Sequence, residues 1–180
     1  GCYGDGGAIF TNNDELAKKM RIIANHGMEI RYYHDVVGVN SRLDSIQAAV
    51  LDVKLKHLDE YIKARQSAAD YYDKAFANNP NIIIPTRSPK TTHVFHQYTI
   101  KLQRENRKAL QKSLEEKGIP AMIYYPVPLH MQKAYQDKRY KAGDFPVAEK
   151  LCEYVLSLPM HTELDEEQLE YITRNVLELI

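Results

Sequence analysis

The sequence has 180 residues, of which 44% are hydrophobic, so it can form one domain with a core, or a small domain with part of another. Lys plus Arg and Asp plus Glu are equal at 24 each, which excludes the net positive charge that attracts proteins to nucleic acid or anionic lipid. No apolar run approaches the roughly 20 residues that span a bilayer, and Gly1 is not followed by a leader pattern. We therefore expect a cytoplasmic protein.

The first forty residues predict a turn, a strand, a helix and a polar loop. Glycines in 4–7 indicate the turn, residues 8–10 a short apolar strand, and residues 11–15 a helix start. Apolar residues then recur at helical spacing, namely Leu16, Met20 and Ile23. We expect this helix to stop at His26-Gly27 and a loop rich in Arg, Tyr and His to follow over 29–35. The whole stretch is interpreted as the end of a larger domain.

A long helix is predicted over 43–77. Ser41 and Asp44 have capping-box-like spacing, with Asp where Glu or Gln is usual, and Pro80 lies beyond the end of the apolar stripe. Such a helix would be about 50 Å long, against roughly 30 Å for a small domain, so it must bend or bridge two bodies. Its first turns are apolar nearly all round and its later turns on one side, which favours the bridging interpretation.

The pattern after Pro80 predicts an α+β unit. The predicted strands are 82–84, 95–102 and 119–124. The predicted helices are 105–117, 146–156 and 165–179, the last with capping residues in 162–165. A loop broken by Pro126 and Pro128 precedes the second of these helices.

The histidines and cysteines do not predict a metal site. His93 and His96 have H-x-x-H spacing, but residues three apart at the start of a strand point to opposite faces. The other histidines lack carboxylate or cysteine partners at ligand spacing. Cys2 and Cys152 lack CxxC spacing, so we predict neither a zinc site nor a disulfide framework.

Asn40 and Arg42 flank the predicted start of the long helix. Free backbone N–H groups and the positive end of the helix dipole attract anions at such a position, so a phosphate site is physically sensible. The short pattern leaves an ordinary helix cap with a solvated Arg42, or an ion pair with Asp44, as the alternative.

Four longer segments occur together in one order along the chain. They are GVNSRLDSIQAA at 38–49, FHQYTI at 95–100, GIPAMIYYPVPLH at 118–130 and FPVAEKLCEYVLSLPMH at 145–161. With these segments the chain resembles the DegT/DnrJ/StrS sugar aminotransferases over essentially its whole length. The resemblance implies an α/β fold, the C-terminal part of a fold-type I transferase that uses pyridoxal 5'-phosphate. Residues 1–42 would be the tail of the large cofactor domain, 43–79 a bridging helix and 80–180 a small α+β domain.

The resemblance also implies site residues. Asn40 would reach across a homodimer to the cofactor phosphate in the other subunit, and Arg42 would lie close to the nucleotide-sugar substrate. His34, in the preceding loop, is a further candidate for substrate binding.

The proline-containing loop carries the other candidates. Tyr124, Tyr125 and His130 match the substrate-facing loop of the family, but Tyr124 stands where the family usually has His, which leaves the identity of the sugar open. Tyrosine donates a hydrogen bond but does not titrate near neutrality, so proton transfer is not expected there. Without the resemblance, two tyrosines before prolines also fit an aromatic-packed loop.

The catalytic lysine of the family lies a few residues before the glycines of 4–7. The chain is therefore expected to begin just after its catalytic residue and, by itself, to lack transaminase activity and bound pyridoxal phosphate. The resemblance implies a whole enzyme that moves an amino group from glutamate to the keto carbon of a nucleotide-linked sugar for surface polysaccharides. In such enzymes the cofactor supplies the electron sink and the lysine moves the proton.

Two alternatives remain open. Some relatives have His in place of the lysine and act as pyridoxamine-dependent sugar dehydratases, so the residue upstream of Gly1 decides between the two enzymes. The second alternative is a regulatory or interaction domain. Neutral charge and the lack of a recognition helix with clustered Arg and Lys argue against direct DNA binding.

Overall fold

The computed structural model describes residues 1–103 and 107–180. Two compact units make up the chain, Gly1–Leu58 and Asp59–Ile180. The boundary between these units falls inside the predicted long helix, whereas the proposed division at 42/43 and 79/80 stays a prediction. Within the described residues, no helix is long and apolar enough to span a membrane.

The first unit contains two helices, α1 (Asp14–Ala24) and α2 (Ser45–Leu55). Asn13 caps α1, because its Oδ1 accepts the Leu16 N–H at 3.0 Å, and acidic residues in the first turn suit the helix dipole. The predicted first helix is confirmed, although it ends two residues before His26. The predicted strand at 8–10 is wrong: this segment is irregular, and Ile9 and Phe10 are exposed. A strand needs a neighbouring strand for its backbone groups, and none lies beside it within this unit.

Two helices replace the single predicted helix over 43–77. α2 ends at Leu55 and α3 covers Leu58–Phe76. Between them the Lys56 N–H bonds to the carbonyl of Val53 at 3.3 Å and the His57 N–H to that of Lys54 at 3.0 Å. These are tightened turns of 3₁₀ type, which often end an α-helix. Neither Gly nor Pro stands at the break, so sequence punctuation does not reveal it.

The second unit combines helices with a small antiparallel sheet. Its strands are β1 (Ile82–Ile83), β2 (Tyr98–Leu102) and β3 (Val155–Leu158), in the order β1-β2-β3. Its helices after α3 are α4 (Arg107–Glu116), α5 (Pro146–Tyr154) and α6 (Glu166–Leu179), with short 3₁₀ helices at Leu129–Met131 and Lys133–Tyr135. The predicted start of α4 at residue 105 lies outside the described residues. α6 begins as predicted, with a capping box between Asp165 and Gln168.

The core of this unit lies between the sheet and the helices. On β2, Tyr98 and Ile100 are fully buried, and their cross-strand partners on β3 are Leu158 and Leu156. Helices α3, α4 and α6 supply further large buried side chains, which include Tyr72, Phe76, Leu110, Leu114, Ile172 and Val176. On β2, buried residues alternate with a half-buried and an exposed one, which is the pattern expected of a strand with one face in the core.

Three strand and helix predictions in this unit need correction. Residues 119–124 form only an isolated bridge, in which Met122 exchanges two backbone hydrogen bonds with Ser157. The predicted helix 146–156 ends at Tyr154, and the chain continues directly as β3. Strand β2 begins at Tyr98 rather than at Phe95, because Phe95 has a φ of 47°, which interrupts extended backbone.

The H-x-x-H segment therefore lies in irregular backbone before β2 and not at a strand start. His93 Nδ1 accepts the Phe95 N–H at 2.9 Å, and the buried Phe95 ring lies 4.5 Å from the His93 ring, centroid to centroid. Within 1–103 and 107–180, no group of three or more His, Cys, Asp or Glu residues is placed to hold a metal ion.

Truncation of Leu156 tests the unpredicted strand β3. Leu156 is fully buried opposite Ile100, so Leu156→Ala should lower the free energy of unfolding by about 2–5 kcal/mol. Leu151→Ala removes the same atoms from a side chain on α5 that is 38% exposed, and should cost clearly less. Urea unfolding measures both values. Equal losses would contradict the placement of Leu156 in the core.

Candidate functional site

Two segments of backbone that follow α1 come into close contact at a pair of glycines. Gly27 has a φ of 78°, and a Cβ added to it would lie 1.7 Å from the carbonyl oxygen of Val36. A Cβ on Gly38 would lie 2.1 Å from the Gly27 nitrogen. Only glycine permits both the left-handed conformation and this approach of two backbones. We call this contact the glycine crossing; it closes residues 28–37 into a loop.

Backbone hydrogen bonds around the glycine crossing fix Asn40 at the end of α1. The His26 N–H donates to the Val39 carbonyl at 2.9 Å, and the Ser41 N–H donates to the Ala24 carbonyl at 2.9 Å. Asn25 and Asn40 pair as an isolated antiparallel bridge between them. The position of Asn40 is therefore set by the backbone on both sides of it.

Asn40 and Arg42 are in direct contact. Arg42 Nε donates to Asn40 Oδ1 at 2.8 Å, and both side chains are exposed. Because the amide oxygen is occupied, the Asn40 NH₂ group and the terminal nitrogens of Arg42 are the donors that face solvent. Amide and guanidinium donors together suit a phosphate group. The two residues therefore fit the phosphate group of the implied cofactor or of a nucleotide.

The helix start beside this pair differs from the prediction. α2 begins at Ser45 with Asp44 as its N-cap residue, and the Asp44 side chain makes no capping bond. The predicted capping box from Ser41 to Asp44 does not form. A carboxylate at the N-cap opposes a bound anion, so the donors for phosphate are the two side chains rather than the end of the helix.

His34 lies in the loop that the glycine crossing closes. Its Nδ1–H donates to the His26 carbonyl at 2.9 Å, and residues 28 and 34 pair as an isolated bridge. In this tautomer Nε2 is an acceptor. The neighbouring Tyr32 has a φ of 72°, is 73% exposed, and has the Arg31 guanidinium 4.8 Å from its ring centroid. The loop thus presents polar and aromatic groups to solvent.

Tyr124 and Tyr125 lie in the second unit. Their rings meet edge to face with centroids 5.8 Å apart, and they are 38% and 69% exposed. Both can present a hydroxyl group to a ligand.

His130 is almost buried, with only 9% of its side chain exposed, and pairs with Glu149. The two atoms in contact, His130 Nε2 and Glu149 Oε1, are 3.0 Å apart, and the Phe145 ring centroid lies 4.8 Å from that of His130. Glu149 also accepts the backbone N–H groups of Gly143 and Phe145, at 2.9 and 3.2 Å. The Gly143 bond is the main reason why the pKa of Glu149 lies below its ordinary value, and Phe145 and His130 add to it.

The structure brings Asn40 and Arg42 together and anchors them, with His34, to the end of α1. Sequence reasoning identified these residues but missed Gly27 and Gly38 as the contact that places them, and it missed Glu149 as the partner of His130. The glycines at the two ends of the loop were the available signal for the first contact. No spacing rule connects His130 with a carboxylate nineteen residues later.

The model of the DegT/DnrJ/EryC1/StrS aminotransferase family matches residues 2–177. The chain therefore belongs to this family, and the resemblance seen in the sequence is confirmed.

The chain is similar to individual relatives over nearly its whole length. Over 180 residues the chain is 47% identical to the "Pleiotropic regulatory protein" of Geobacillus stearothermophilus, covering 99% of this chain and 48% of that protein. It is 45% identical to the UDP-2-acetamido-2-deoxy-3-oxo-D-glucuronate aminotransferase of Pseudomonas aeruginosa, covering 96% of this chain and 46% of that enzyme. The chain thus spans about half the length of the curated relatives it matches.

Solved structures share the fold. DesV of S. venezuelae, determined in complex with a ketimine intermediate, has a TM-score of 0.93 and 39% identity, covering 99% of this chain and 47% of DesV. NtdA from Bacillus subtilis, with bound cofactor PMP, has a TM-score of 0.83 and 31% identity, covering 94% of this chain and 40% of NtdA. The predicted α/β class is confirmed by this likeness.

Replacement of Gly38 tests the glycine crossing. Gly38→Ala should displace the 28–37 loop, because the added Cβ would lie 2.1 Å from the Gly27 nitrogen. The amide protons of His26, which donates to the Val39 carbonyl, and of Val39, which donates to the Ile23 carbonyl at 2.8 Å, should then exchange with solvent at least about tenfold faster, since these hydrogen bonds open more often. Gly7→Ala is the control, because a Cβ there meets nothing within 4 Å. Unchanged exchange in Gly38→Ala would show that the crossing is looser than described.

Replacement of Glu149 tests its electrostatic contribution. A carboxylate with a lowered pKa in the folded state stabilises the protein above its unfolded pKa of about 4.3 and loses this effect as the pH falls through the folded pKa. The urea midpoint of Glu149→Gln should therefore lie below that of the wild type at neutral pH, and the two should converge in acid. Glu153→Gln, at an exposed position of the same helix, is the control. A difference that persists unchanged into acid would contradict the prediction.

Proposed function

We propose that the chain is part of an aminotransferase that uses pyridoxal phosphate to move an amino group from glutamate to the keto carbon of a nucleotide-linked sugar. The observation that carries the proposal is the Asn40–Arg42 pair, whose outward donors fit a phosphate. Family membership supports the proposal, as does the name of the Pseudomonas relative, an aminotransferase of a 3-oxo UDP-sugar. Biosynthesis of surface polysaccharides or related sugars, in the cytoplasm, is the proposed setting.

The roles of the residues follow from their donors. The Asn40 NH₂ group would bind the cofactor phosphate of the partner subunit, and Arg42 would hold the Asn40 oxygen while its terminal nitrogens face the nucleotide-sugar. Tyr124, Tyr125, His130 and His34 would contact the substrate. When bound, the cofactor supplies the electron sink for the reaction.

Arrangement as a homodimer is part of this proposal. Several apolar side chains of α2 are exposed in the chain by itself, with Ile46 at 77%, Val53 at 59% and Leu55 at 68%. Exposed apolar residues in such number are typical of surfaces that a partner or another part of the protein covers. A site shared between subunits also explains why a phosphate-binding pair stands on an exposed loop.

In the proposed enzyme the lysine of the family would precede the glycines of 4–7. A His at that position would instead indicate the pyridoxamine-dependent sugar dehydratase. A regulatory role is the second candidate, and the name of the Geobacillus relative favours it.

Mixed dimers of the full-length protein test the assignment of Asn40 to the partner's site. One variant replaces the upstream lysine by Ala and the other carries Asn40→Ala; each alone should have transaminase activity lowered by about 100-fold or more. If Asn40 acts on the partner's cofactor, a mixed dimer contains one site with both wild-type residues. Activity should then reappear on mixing, measured with glutamate and a 3-keto nucleotide-sugar.

Other outcomes separate the alternatives. Activity that stays at the level of the Asn40→Ala variant would show that Asn40 acts within its own subunit. A wild-type protein without transaminase activity, but with salt-dependent binding of duplex DNA at micromolar concentration, would favour the regulatory role. As a control, the lysine variant is mixed in the same way with Asp52→Asn, at an exposed position of α2. This mixture measures the activity that subunit exchange itself removes.

A further inference from the structure

We propose that Gln47 is a positioning residue that holds the segment 1–6 against α2. In the full-length enzyme it would thereby place the cofactor-bearing residue that precedes this segment. The positioning of the cofactor-bearing residue rests on the proposed function. The contact between Gln47 and the segment 1–6 rests on the geometry of the first unit alone.

The central contact is a hydrogen bond between a side chain and the backbone. The Tyr3 N–H donates to Gln47 Oε1 at 2.8 Å, across 44 positions of sequence. A Cβ added to the next residue, Gly4, would lie 3.3 Å from Gln47 Nε2. Glycine at position 4 therefore leaves room for the Gln47 carboxamide to lie along the backbone.

Lys54 also holds the segment on the same side of α2, and Gly6 lets it pass close to Leu43 just before the helix. Lys54 Nζ donates to the Gly1 carbonyl at 2.9 Å, and it lies 5.6 Å from the Tyr3 ring centroid. A Cβ added to Gly6 would lie 3.2 Å from Leu43 Cδ1. Gln47 and Lys54 are seven residues apart, which places them on one face of a helix.

Of these contacts, the one made by Gln47 determines position most closely. Lys54 is half-buried as well, but its ammonium group stands at the end of a long flexible stem, and the glycines supply space rather than attraction. The short carboxamide of Gln47 is half-buried and accepts a backbone N–H in the middle of the segment. Loss of this acceptor leaves the flexible Lys54 side chain as the contact that holds residues 1–6 against α2.

The position of Gln47 on α2 has a consequence for the proposed dimer. α2 begins five residues after Asn40, so the same helix follows the pair that would bind the partner's phosphate and carries the acceptor that holds the segment of its own subunit. A shift of α2 would therefore change both sites at once.

Hydrogen exchange on the full-length protein without cofactor tests the contact. In Gln47→Leu the Tyr3 amide should exchange at least about tenfold faster than in the wild type, because its acceptor is gone. Gln47→Glu keeps an acceptor oxygen and should retain the protection. Gln66→Leu is the matched control, because Gln66 also bonds to backbone, donating to the His93 carbonyl at 3.0 Å in the other unit.

The same variants with cofactor test the positioning role. Gln47→Leu should change the pH at which the visible absorption band of the bound cofactor titrates. Its kcat should fall about tenfold, with the KM for the nucleotide-sugar within about twofold of the wild type. Gln47→Glu should restore both properties, and Gln66→Leu should leave both unchanged.

Each outcome decides one part of the proposal. Equal exchange of Tyr3 in wild type and Gln47→Leu overturns the contact and the proposal with it. Faster exchange with an unchanged band and kcat confirms the contact but overturns the positioning role. A wild-type protein that neither binds cofactor nor transaminates overturns the proposed function and the positioning role together, while the exchange result still decides the contact.

Discussion

The close approach of Gly27 to Gly38 is the constraint on which the placement of Asn40 and Arg42 depends. Of residues 1–58, all of which the structure describes, only Gly27 is buried, so this unit has no hydrophobic core of its own to position a loop. Backbone hydrogen bonds position the loop instead. They form only because Gly27 and Gly38 have no side chains, so that the two backbone segments can come into contact. The exposed donors of Asn40 and Arg42 are thereby attached to a fixed backbone.

The second unit is stabilised in the ordinary way, by burial. Tyr72 and Tyr98 are fully buried with ring centroids 4.8 Å apart, and their hydroxyl groups donate to the Pro159 carbonyl and to Asp73, which satisfies them inside the core. Burial of these hydroxyls raises the pKa of both tyrosines far above the ordinary value. Arg65 on α3 donates to carbonyls at Phe95, His96 and Met160, and so ties the turn before β2 to the segment after β3. The helices and the sheet are thus joined by polar as well as apolar contacts.

The two units differ in how far their candidate site residues are exposed, which supports different roles for the two units in the proposed enzyme. Groups that would meet a cofactor or a partner are exposed in the first unit, where little is buried, whereas His130 in the second unit is held by Glu149 and Phe145. A residue held in this way has a fixed ring orientation. Residues 1–58 expose apolar side chains on α2, as expected of a surface completed by the rest of the protein.

The sequence by itself determined the elements that have local signals, together with the family. α1 and α6 begin at residues whose side chains cap them, and β2 alternates buried residues with a half-buried and an exposed one, so these elements were predictable from neighbours a few positions away. Only the tertiary structure decided β3, because Val155 to Leu158 continue the apolar spacing of α5 and become a strand by pairing with β2. The same holds for the break between α2 and α3, the glycine crossing, and the contacts of Gln47 and Glu149. The crossing has two glycines as a signal, but its contact, like the others, joins residues that are separated in sequence or depends on backbone geometry, and such contacts exist only once the chain has folded.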